Sequence, residues 1–538
     1  MIRFGLLLVA VLAPTLLTMG CTSRDSNSDG AILKVNLGAE VQDLDPQIVT
    51  GVPEFRALSA LFEGLTDLNP ATLEPEPAAA ASWTVSDDQL TYTFAMRPQA
   101  RWSNGDPVTA HDFEYSWRRV LSPKLAAEYS YLLHHIRGAK AYNEGMTEDW
   151  STVGVKALDE QTLQVELDHP TPFFLSLLYH QAYYPVHRAT VEQHGKMDER
   201  GSRWTHAGNH VGNGAFKLAE WRPQEHILVT RNEHYWGAES IRLDGVQFFP
   251  IDNAQTEERS FRTGELHMTE TMPLQKIEVY RKDDPGVLQV RPYYGSYFYR
   301  FNTTRKPLDD PRVRLALNLA VDRETLARDV LKAGEAPATR LTPPGAGYEC
   351  GASSGGYDPE RARQLLAEAG FPGGQGFPKL ELLYNTSEQH ATIGEVLQRM
   401  WKENLGIEIG LYNQDWKVYL DSMTKLDFDI CRGAWIGDIM DPINFIELFL
   451  SGGGNNRTGW SSPGYDALVQ QAYATPERDA RHALLCEAET LLLQEAPIMP
   501  LYFYSTKYLM SQEVQGMVPN VLDYRRWKDM WLDEASNS

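Results

Sequence analysis

Apolar residues recur with two regular spacings in the first part of the chain. The segment ILKVNLG, which begins at Ile32, and the segment LTYTFAM (90–96) alternate as half-buried strands do. Between them, EFRALSALFEGL (54–65) carries apolar residues every three or four positions, which predicts a helix. Asn104-Gly105 marks a turn, and Thr109 is a candidate cap for the next helix. The folded part is therefore expected to begin near residue 32 and to mix strands with helices.

Two further helices are expected to begin at Asp-Pro pairs. Asp310-Pro311 precedes RVRLALNLAVDRETLARDVL (312–331), which is predicted to form one continuous helix. Asp358-Pro359 opens the second helix, which Gly370 is expected to end. In both cases the acid serves as the cap, and proline occupies the first helical position, where no amide hydrogen bond is lost.

A strand–helix–strand unit follows these helices. The segments LELLYN (380–385) and IEIGLYN (407–413) predict strands on either side of a helix at about 389–405, and FDICRGAW (428–435) predicts another strand. Such a unit forms a right-handed crossover onto a parallel sheet. Open α/β sheets bind ligands at the carboxyl ends of their strands, so this part of the chain is where a ligand site is expected.

The stretch AWIGDIMDP (434–442) places two carboxylates at such a strand end. Asp438 comes just after the predicted strand, where a ligand could meet it. Asp441 precedes Pro442 and is interpreted as the cap of the helix INFIELF (443–449). For an arbitrary aspartate before a turn, an Asx-turn or a cap is also the ordinary interpretation of Asp438.

Length and charge narrow the class of protein. A chain of 538 residues is too long for one ordinary core, so two or three domains are expected. The net charge of −22 argues against nucleic-acid binding, because a polyanion is repelled. An acidic protein of this kind suits uncharged or cationic ligands.

The first 21 residues have the composition of an export signal. In MIRFGLLLVAVLAPTLLTMGC, Arg3 precedes an apolar run that is too short and too interrupted for a membrane span. Residues 18–21 resemble a bacterial lipobox, which predicts removal of residues 1–20, lipidation of Cys21 and a tether at 21–31. The alternative is a plain secretory signal and a soluble periplasmic protein.

The other three cysteines are Cys350, Cys431 and Cys486. None has CxxC spacing, so no metal site is expected. In an oxidising compartment one pair could form a disulfide and leave one thiol free, and the sequence leaves the pair open.

Catalytic motifs receive little support. Residues 351–355 match GxSxG, but a nucleophile elbow needs a strand before Ser353 and a helix directly after it, and the flanking sequence predicts a loop. A serine hydrolase using Ser353 is therefore kept only as the alternative from another class. No enzymatic activity and no cofactor are expected.

Six segments together resemble one family. They are FAMRPQARWSNGDPVTAHDFEYSWRRVLSP (94–123), VGNGAFKLAEW (211–221), RNEHYWG (231–237), FRTGELHMT (261–269), YFYRFNTTRKPLDDPRVRLALNLAVDRETL (297–326) and LLYNTSEQH (382–390). The family is that of the periplasmic oligopeptide-binding proteins, the family 5 solute-binding proteins of peptide and nickel ABC importers. The resemblance runs in order from about residue 32 to the C-terminus.

The resemblance implies an α/β, two-lobed periplasmic-binding-protein-like fold (type II, cluster C) of three domains with a hinge between the lobes. The expected segments are 32–62, 189–294 and 506–538 for domain I, 63–188 for domain II and 295–505 for domain III. Hinge strands are expected near residues 186–190 and 293–300. The resemblance also implies a monomeric receptor in the periplasm or cell envelope, which closes around an oligopeptide and delivers it to an ABC permease and its ATPase subunits.

In the family, the aspartate corresponding to Asp438 forms a salt bridge with the α-ammonium group of the peptide. The physical reason is that an amine buried on closure needs a charged partner, because an unpaired buried ion costs several kcal/mol. The resemblance further implies main-chain contacts to the peptide from Val52, Ala434 and Ile436, as an added strand makes. Pocket positions are matched by Trp416, Trp435, Tyr293, Phe298, Asn385 and His390. For each aromatic residue among them, core packing is the alternative.

The chain differs from the family at several positions, most of them where the family holds the C-terminal end of the peptide. Arg432 and His390 match two of the basic residues that hold the C-terminal carboxylate. Two more basic positions hold Met423 and Leu331, an acid near the N-terminal pocket is Thr50, and a tyrosine position holds Glu128. The paired family cysteines fall on Gly295 and Ile436, so that disulfide is not expected. Ligand length therefore stays open, and a receptor for one specialised ligand, such as a murein or signalling peptide or a non-peptide solute, is the alternative.

Overall fold

The computed structural model describes residues 31–533, apart from the side chain of Lys417. The expected signal peptide, the lipidation site Cys21 and most of the tether lie outside the described residues. Within 31–533, no helix is both long and apolar enough to cross a membrane.

Strands occur along the whole described chain. They are β1 Ile32–Asn36, β2 Thr66–Leu68, β3 Pro75–Pro77, β4 Ala80–Val85, β5 Thr91–Met96, β6 Val155–Asp159, β7 Thr162–Glu166, β8 Phe216–Arg222, β9 His226–Arg231, β10 Gly245–Phe249, β11 Leu288–Phe301, β12 Ala336–Pro337, β13 Leu380–Asn385, β14 Ile409–Gln414, β15 Ile430–Ile436, β16 Ile498–Leu509, β17 Val514–Gln515 and β18 Trp531–Leu532.

Helices alternate with these strands. They are α1 Val52–Leu61, α2 Ala110–Val120, α3 Ala139–Asn143, α4 Phe174–Leu177, α5 Arg188–His194, α6 Ala254–Arg262, α7 Ile277–Asp283, α8 Pro311–Leu319, α9 Arg323–Thr325, α10 Pro359–Glu368, α11 Glu388–Leu405, α12 Trp416–Thr424, α13 Ile443–Ile446, α14 Pro463–Tyr473 and α15 Arg478–Glu495.

Three sheets carry most of the strands. One has the order β1-β10-β9-β8, the second is the antiparallel sheet β4-β5-β7-β6, and the third has the order β12-β16-β11-β15-β13-β14. The strands of the third sheet include the expected strand–helix–strand unit, since β13 pairs with β14 in parallel and α11 connects them. That prediction is confirmed, as are the predicted strands β1 and β5 and the capping of α2 by Thr109.

The prediction of one helix over 312–331 is wrong. Helix α8 ends at Leu319, a new turn begins at Arg323, and residues Leu326–Leu331 form a π-helix. The Asp322 carboxylate accepts the amide hydrogen of Thr325 and so caps a second helix start. The guanidinium of Arg323 turns inward to the main-chain oxygens of Val321 and Pro500, contacts that helical periodicity does not encode.

Two long antiparallel strands of the third sheet, β11 and β16, extend toward the first sheet. Leu288 to Pro292 pair with Leu509 to Ser505, and Ser296 to Arg300 pair with Phe503 to Ile498, with register shifts between. Beyond β16, Met510 bridges to Met268, which itself bridges to Val35 of β1. The expected hinge at 293–300 therefore lies in a strand. The expectation of a strand at 186–190 is wrong, because residues 185–187 are irregular and α5 begins at Arg188.

Residues 514–532 return to α1 and β2. The indole of Trp527 donates to the Arg56 oxygen of α1, and the Lys528 ammonium lies 2.9 Å from the Asp67 carboxylate. Asp523 pairs with Arg56 at 2.6 Å. Elsewhere, Cys350 and Cys486 form a disulfide, which leaves Cys431 as a buried free thiol among the described residues.

Candidate ligand-binding cleft

A cleft of about 340 Å³ opens between β15 and the N-terminal end of α1. One side is formed by residues 50–52, 55, 56 and 59 with Tyr129 and residues 179–181, and the other by Trp416, Arg432 and residues 434–438. Tyr293 and residues 522–525 complete the wall. Segments far apart in the sequence therefore meet around one space that can hold a small or extended ligand.

Strand β15 presents an open edge to this cleft. Its other edge pairs with β11 from Gly295 to Phe301, whereas β13 pairs with β15 only at Ile430 and Cys431. The amide of Gly437 donates to the Tyr294 oxygen, and main-chain groups alternate between the two edges of an antiparallel strand. The amide and carbonyl groups of Ala434 and Ile436 consequently point to the open edge, where a further strand could add.

Asp438 lies directly beyond the end of β15. Its main-chain amide donates to Asn444 Oδ1 at 3.0 Å, as does the Trp435 indole, so Asn444 fixes the turn. Its main-chain oxygen accepts from the Tyr179 hydroxyl at 2.6 Å, across the cleft. Within residues 31–533, no cationic side chain lies within salt-bridge distance of the Asp438 carboxylate.

Burial dominates the electrostatics of Asp438. Removal from water raises the pKa of its carboxyl group to about 6, although a hydrogen bond from the Asn444 side chain opposes the rise. The hydroxyl groups of Tyr129 and Tyr179 lie close enough for Asp438 to contribute to raising their pKa values after desolvation, the larger cause. An unpaired carboxylate among aromatic rings favours a cation as its partner.

Rings from several elements surround this end of the cleft. Phe55 lies 6.0 Å from Tyr179 and stacks on His180, and Tyr129 meets His180 edge-on at 4.7 Å. Burial lowers the pKa of His180 to about 4, so its imidazole is neutral at pH 7. Aromatic rings and a neutral imidazole therefore surround this end of the cleft, with the Asn444 amide and the Tyr179 hydroxyl as polar neighbours of Asp438.

The opposite end of the cleft carries Arg432. Its Nη2 donates to the Tyr504 hydroxyl at 2.9 Å, and its guanidinium lies over the Tyr297 ring at 4.9 Å. No carboxylate in the described chain lies within salt-bridge distance of it. His390 contacts the Tyr297 hydroxyl at 3.2 Å, and burial followed by the charge of Arg432 lowers its pKa to about 3. Of the two expected basic residues, only Arg432 is therefore charged at neutral pH.

The structure brings most of the expected site residues together. Asp438, Val52, Ala434, Trp435, Ile436, Arg432, Trp416 and Tyr293 all line the cleft. Asn385 and His390 are not among the residues that line it, and the Asn385 Oδ1 is buried and unpartnered within the described residues. Phe298 is fully buried and packs on Phe449, so the expectation that it forms a pocket wall is corrected: its side chain belongs to the core.

The structure also bears on the interpretation of Asp441 as a helix cap and of Ser353 as a catalytic nucleophile. Asp441 binds Arg481 through both carboxylate oxygens at 2.7 Å and accepts the Ile443 amide at the start of α13, which confirms its structural role. Ser353 lies in a loop without a preceding strand, and the next helix begins only at Pro359.

Sequence reasoning missed several cleft residues. Tyr179, His180 and the segment 522–525 come from parts of the chain with no motif, and the sequence pattern places Asn444 only within a helix. A polar residue inside the apolar helix INFIELF is the one local signal that could have pointed to Asn444.

Comparison with known proteins gives this arrangement its class. Residues 74–457 match the family model described as bacterial extracellular solute-binding proteins, family 5 middle. That range is more than half of the chain, and full-length relatives share over 30% of their residues with it. The chain belongs to this family of solute-binding proteins, and it is not an enzyme.

Three relatives illustrate the similarity. The chain is 35% identical over 534 residues to the oligopeptide-binding protein OppA of Bacillus subtilis, covering 95% of this chain and 96% of the relative. The solved structure of the Escherichia coli murein tripeptide binding protein MppA matches with a TM-score of 0.82 and 36% identity, over 94% of this chain and 99% of that one. The structure of Haemophilus influenzae OppA in complex with RPPGFSPFR matches with a TM-score of 0.80 and 32% identity, over 94% and 99% respectively.

Proposed function

We propose that this protein captures oligopeptides outside the cytoplasm and delivers them to the permease and ATPase subunits of an ABC importer. The peptide lies along the open edge of β15, held by the main-chain groups of Ala434 and Ile436 and by the start of α1 at Val52. Its α-ammonium group pairs with Asp438. The unpaired, buried carboxylate at the end of an open strand edge is the observation that carries this proposal.

Peptide binding with little side-chain specificity follows from these contacts. Main-chain hydrogen bonds are the same for every residue, and the ammonium group is common to every unblocked peptide. Trp416, Trp435 and Tyr293 then form apolar walls that accept varied side chains. Arg432 is the candidate partner of the terminal carboxylate.

The test is the variant Asp438→Asn with paired peptides. Calorimetry should show that the variant binds tri-alanine about 100-fold more weakly than the wild type, because the ammonium loses its charged partner. Asp421→Asn serves as a matched control, since Asp421 is exposed on α12 and pairs with Lys425. Equal affinity of the wild type for tri-alanine and its N-acetylated form contradicts the proposal.

A receptor for one specialised ligand is the second candidate, favoured by Thr50 and Met423 at positions where the family carries charge. Native mass spectrometry of the purified protein separates the two. A series of mixed peptide masses supports a general peptide receptor, and one discrete mass supports a specialised one.

The organisation of the chain is part of the proposal. Domain I comprises 32–62, 189–294 and 506–538, domain II 63–188 and domain III 295–505, with β11 and β16 as the crossing strands. Lipidation of Cys21 tethers the protein to the membrane, and the receptor acts as a monomer. Mass spectrometry of the N-terminal fragment, with Cys21→Ser as the control, tests the anchor.

A further inference from the structure

A second arginine beside β15 has no acidic partner. Arg300 of β11 is 5% exposed, and its guanidinium lies over the Phe298 ring at 4.9 Å with Nη1 3.8 Å from the Met423 sulfur. Its Nε has no hydrogen-bond partner, and no carboxylate of the described chain lies within salt-bridge distance. A buried cation without a counter-ion is costly, so such a group indicates a missing anion.

Two more arginines add to the same positive region. Arg432 and Arg457 also lack a carboxylate partner in the part of the chain that the structure describes, and the Nε of each is unpartnered. All three lie close enough to the Cys431 thiol to act on its pKa, which burial, the larger cause, raises. One terminal carboxylate of a peptide balances one of these charges and leaves two.

The Arg300 guanidinium lies against Gly433 of β15, behind the residues that line the cleft. A Cβ atom added at Gly433 would stand 2.5 Å from Arg300 Nη1, so the guanidinium occupies the space that a side chain at this position of β15 would fill. In a sheet, residues directly opposite one another on neighbouring strands point to the same face. The ligand residue opposite Gly433 therefore directs its side chain toward Arg300.

We propose that Arg300 selects peptides with an acidic side chain at the residue opposite Gly433, which is the fourth residue when the first lies opposite Ile436. This inference rests on the proposed function, since it places the peptide as a strand beside β15 with its amino end at Asp438. Met423 contributes to it, because an uncharged neighbour leaves the charge of Arg300 available to the ligand.

The experiment compares the pentapeptides Ala-Ala-Ala-Glu-Ala and Ala-Ala-Ala-Gln-Ala by calorimetry. The wild type should bind the glutamate peptide at least about 10-fold more tightly, because a hydrogen bond to a charged partner exceeds one to a neutral partner. Arg300→Gln should reduce this ratio to less than twofold while the affinity for the glutamine peptide stays nearly constant. Arg300→Lys should keep part of the preference.

The control variant is Arg328→Gln, which removes the same charge from an exposed residue paired with Asp329 and should keep the full ratio. Moving glutamate to the second position should abolish the preference. A ratio near one in the wild type, or a ratio that survives in Arg300→Gln, overturns the inference even though peptides bind. If Arg300→Gln does not fold, Arg300→Lys takes its place: a preference as large as that of the wild type in Arg300→Lys, or a wild-type ratio near one, overturns the inference.

Failure of the proposed function has a different signature. If neither pentapeptide nor tri-alanine binds, peptide capture itself is wrong and the inference falls with it. If tri-alanine binds and neither pentapeptide does, peptide capture stands and the role of Arg300 is rejected.

Discussion

At the scale of single residues, Asp438 is a carboxylate that the fold leaves without a partner. Its neighbours Asn444 and Tyr179 bind its main-chain atoms and fix its position without neutralising its charge. Asp441, three residues later, is fully paired with Arg481. The difference between the two explains why one is free to bind a ligand while the other stabilises a helix start.

The raised pKa of Asp438 predicts that peptide affinity depends on pH. The Asp438 carboxyl group has a pKa of about 6, and only its ionised form attracts an ammonium ion. Affinity for tri-alanine should therefore be constant above pH 7 and fall as the pH drops below 6, by at most about tenfold per pH unit. Calorimetry between pH 4.5 and 8 measures this, and Asp438→Asn should show a flat profile.

Sequence reasoning reached the residues whose role is local. Asp438 and the residues 432–436 belong to one strand and its end, so a single segment was enough to place them together. Phe298 was misplaced because an aromatic residue in a strand looks the same in sequence whether it faces a cleft or the core. Tyr179 and residues 522–525 could not be assigned, because only the tertiary fold brings them to the cleft.

At the scale of elements, strand β15 pairs with β11 along one edge, and its other edge is unpaired beyond Cys431. Ala434→Pro removes an amide hydrogen that points to the open edge, so no bond to β11 is lost. We expect this variant to fold with a small change in melting temperature and to bind tri-alanine at least about 10-fold more weakly.

The contrasting variant is Trp435→Pro, one residue further along the same strand. Its amide faces β11 opposite Ser296, so this variant should lower the melting temperature strongly. Similar thermal unfolding of the two proline variants contradicts the assignment of the edges. Circular dichroism and calorimetry together make both measurements.

The disulfide between Cys350 and Cys486 ties a long loop to α15. The two cysteines are 136 residues apart, so the cross-link restricts the unfolded chain considerably. Replacement of both by serine should lower the free energy of unfolding by about 3 kcal/mol. Cys431→Ser is the comparison for the buried free thiol, and urea denaturation measures all three proteins. Equal unfolding of the wild type and the double variant contradicts a stabilising role.

At the scale of the whole molecule, the two sides of the cleft touch at several points. The Tyr179 hydroxyl reaches the Asp438 oxygen, and His169 and Phe173 face Tyr473 and Arg481 at 5.3 Å each. A ligand that contacts both sides favours the closed arrangement through its differential affinity. Sheet membership and local periodicity were predictable from the sequence, whereas these contacts across the cleft were not, because no local pattern encodes them.

Tyr179→Phe tests the hydrogen bond from the Tyr179 hydroxyl to the Asp438 main-chain oxygen, which joins the two sides of the cleft. Loss of one hydrogen bond should weaken tri-alanine binding about 3- to 10-fold and increase the radius of gyration of the empty protein in X-ray scattering. Tyr280→Phe is the matched control, because its hydroxyl binds Glu258 away from the cleft. An unchanged affinity in Tyr179→Phe removes this contact from the mechanism.

The return of residues 523–528 to the beginning of the chain has a consequence for biosynthesis. Arg56 and Asp67 are made early, yet their buried partners Asp523 and Lys528 are made 467 and 461 positions later. Until the last residues of the chain are made, Arg56 of α1 has only Glu270 as a partner and Asp67 of β2 lacks Lys528, so the packing around α1 and β2 is completed last. Chains that still lack residues 523–528 should thus be incompletely folded during secretion. Products that end before these residues should be readily cleaved by proteases of the envelope.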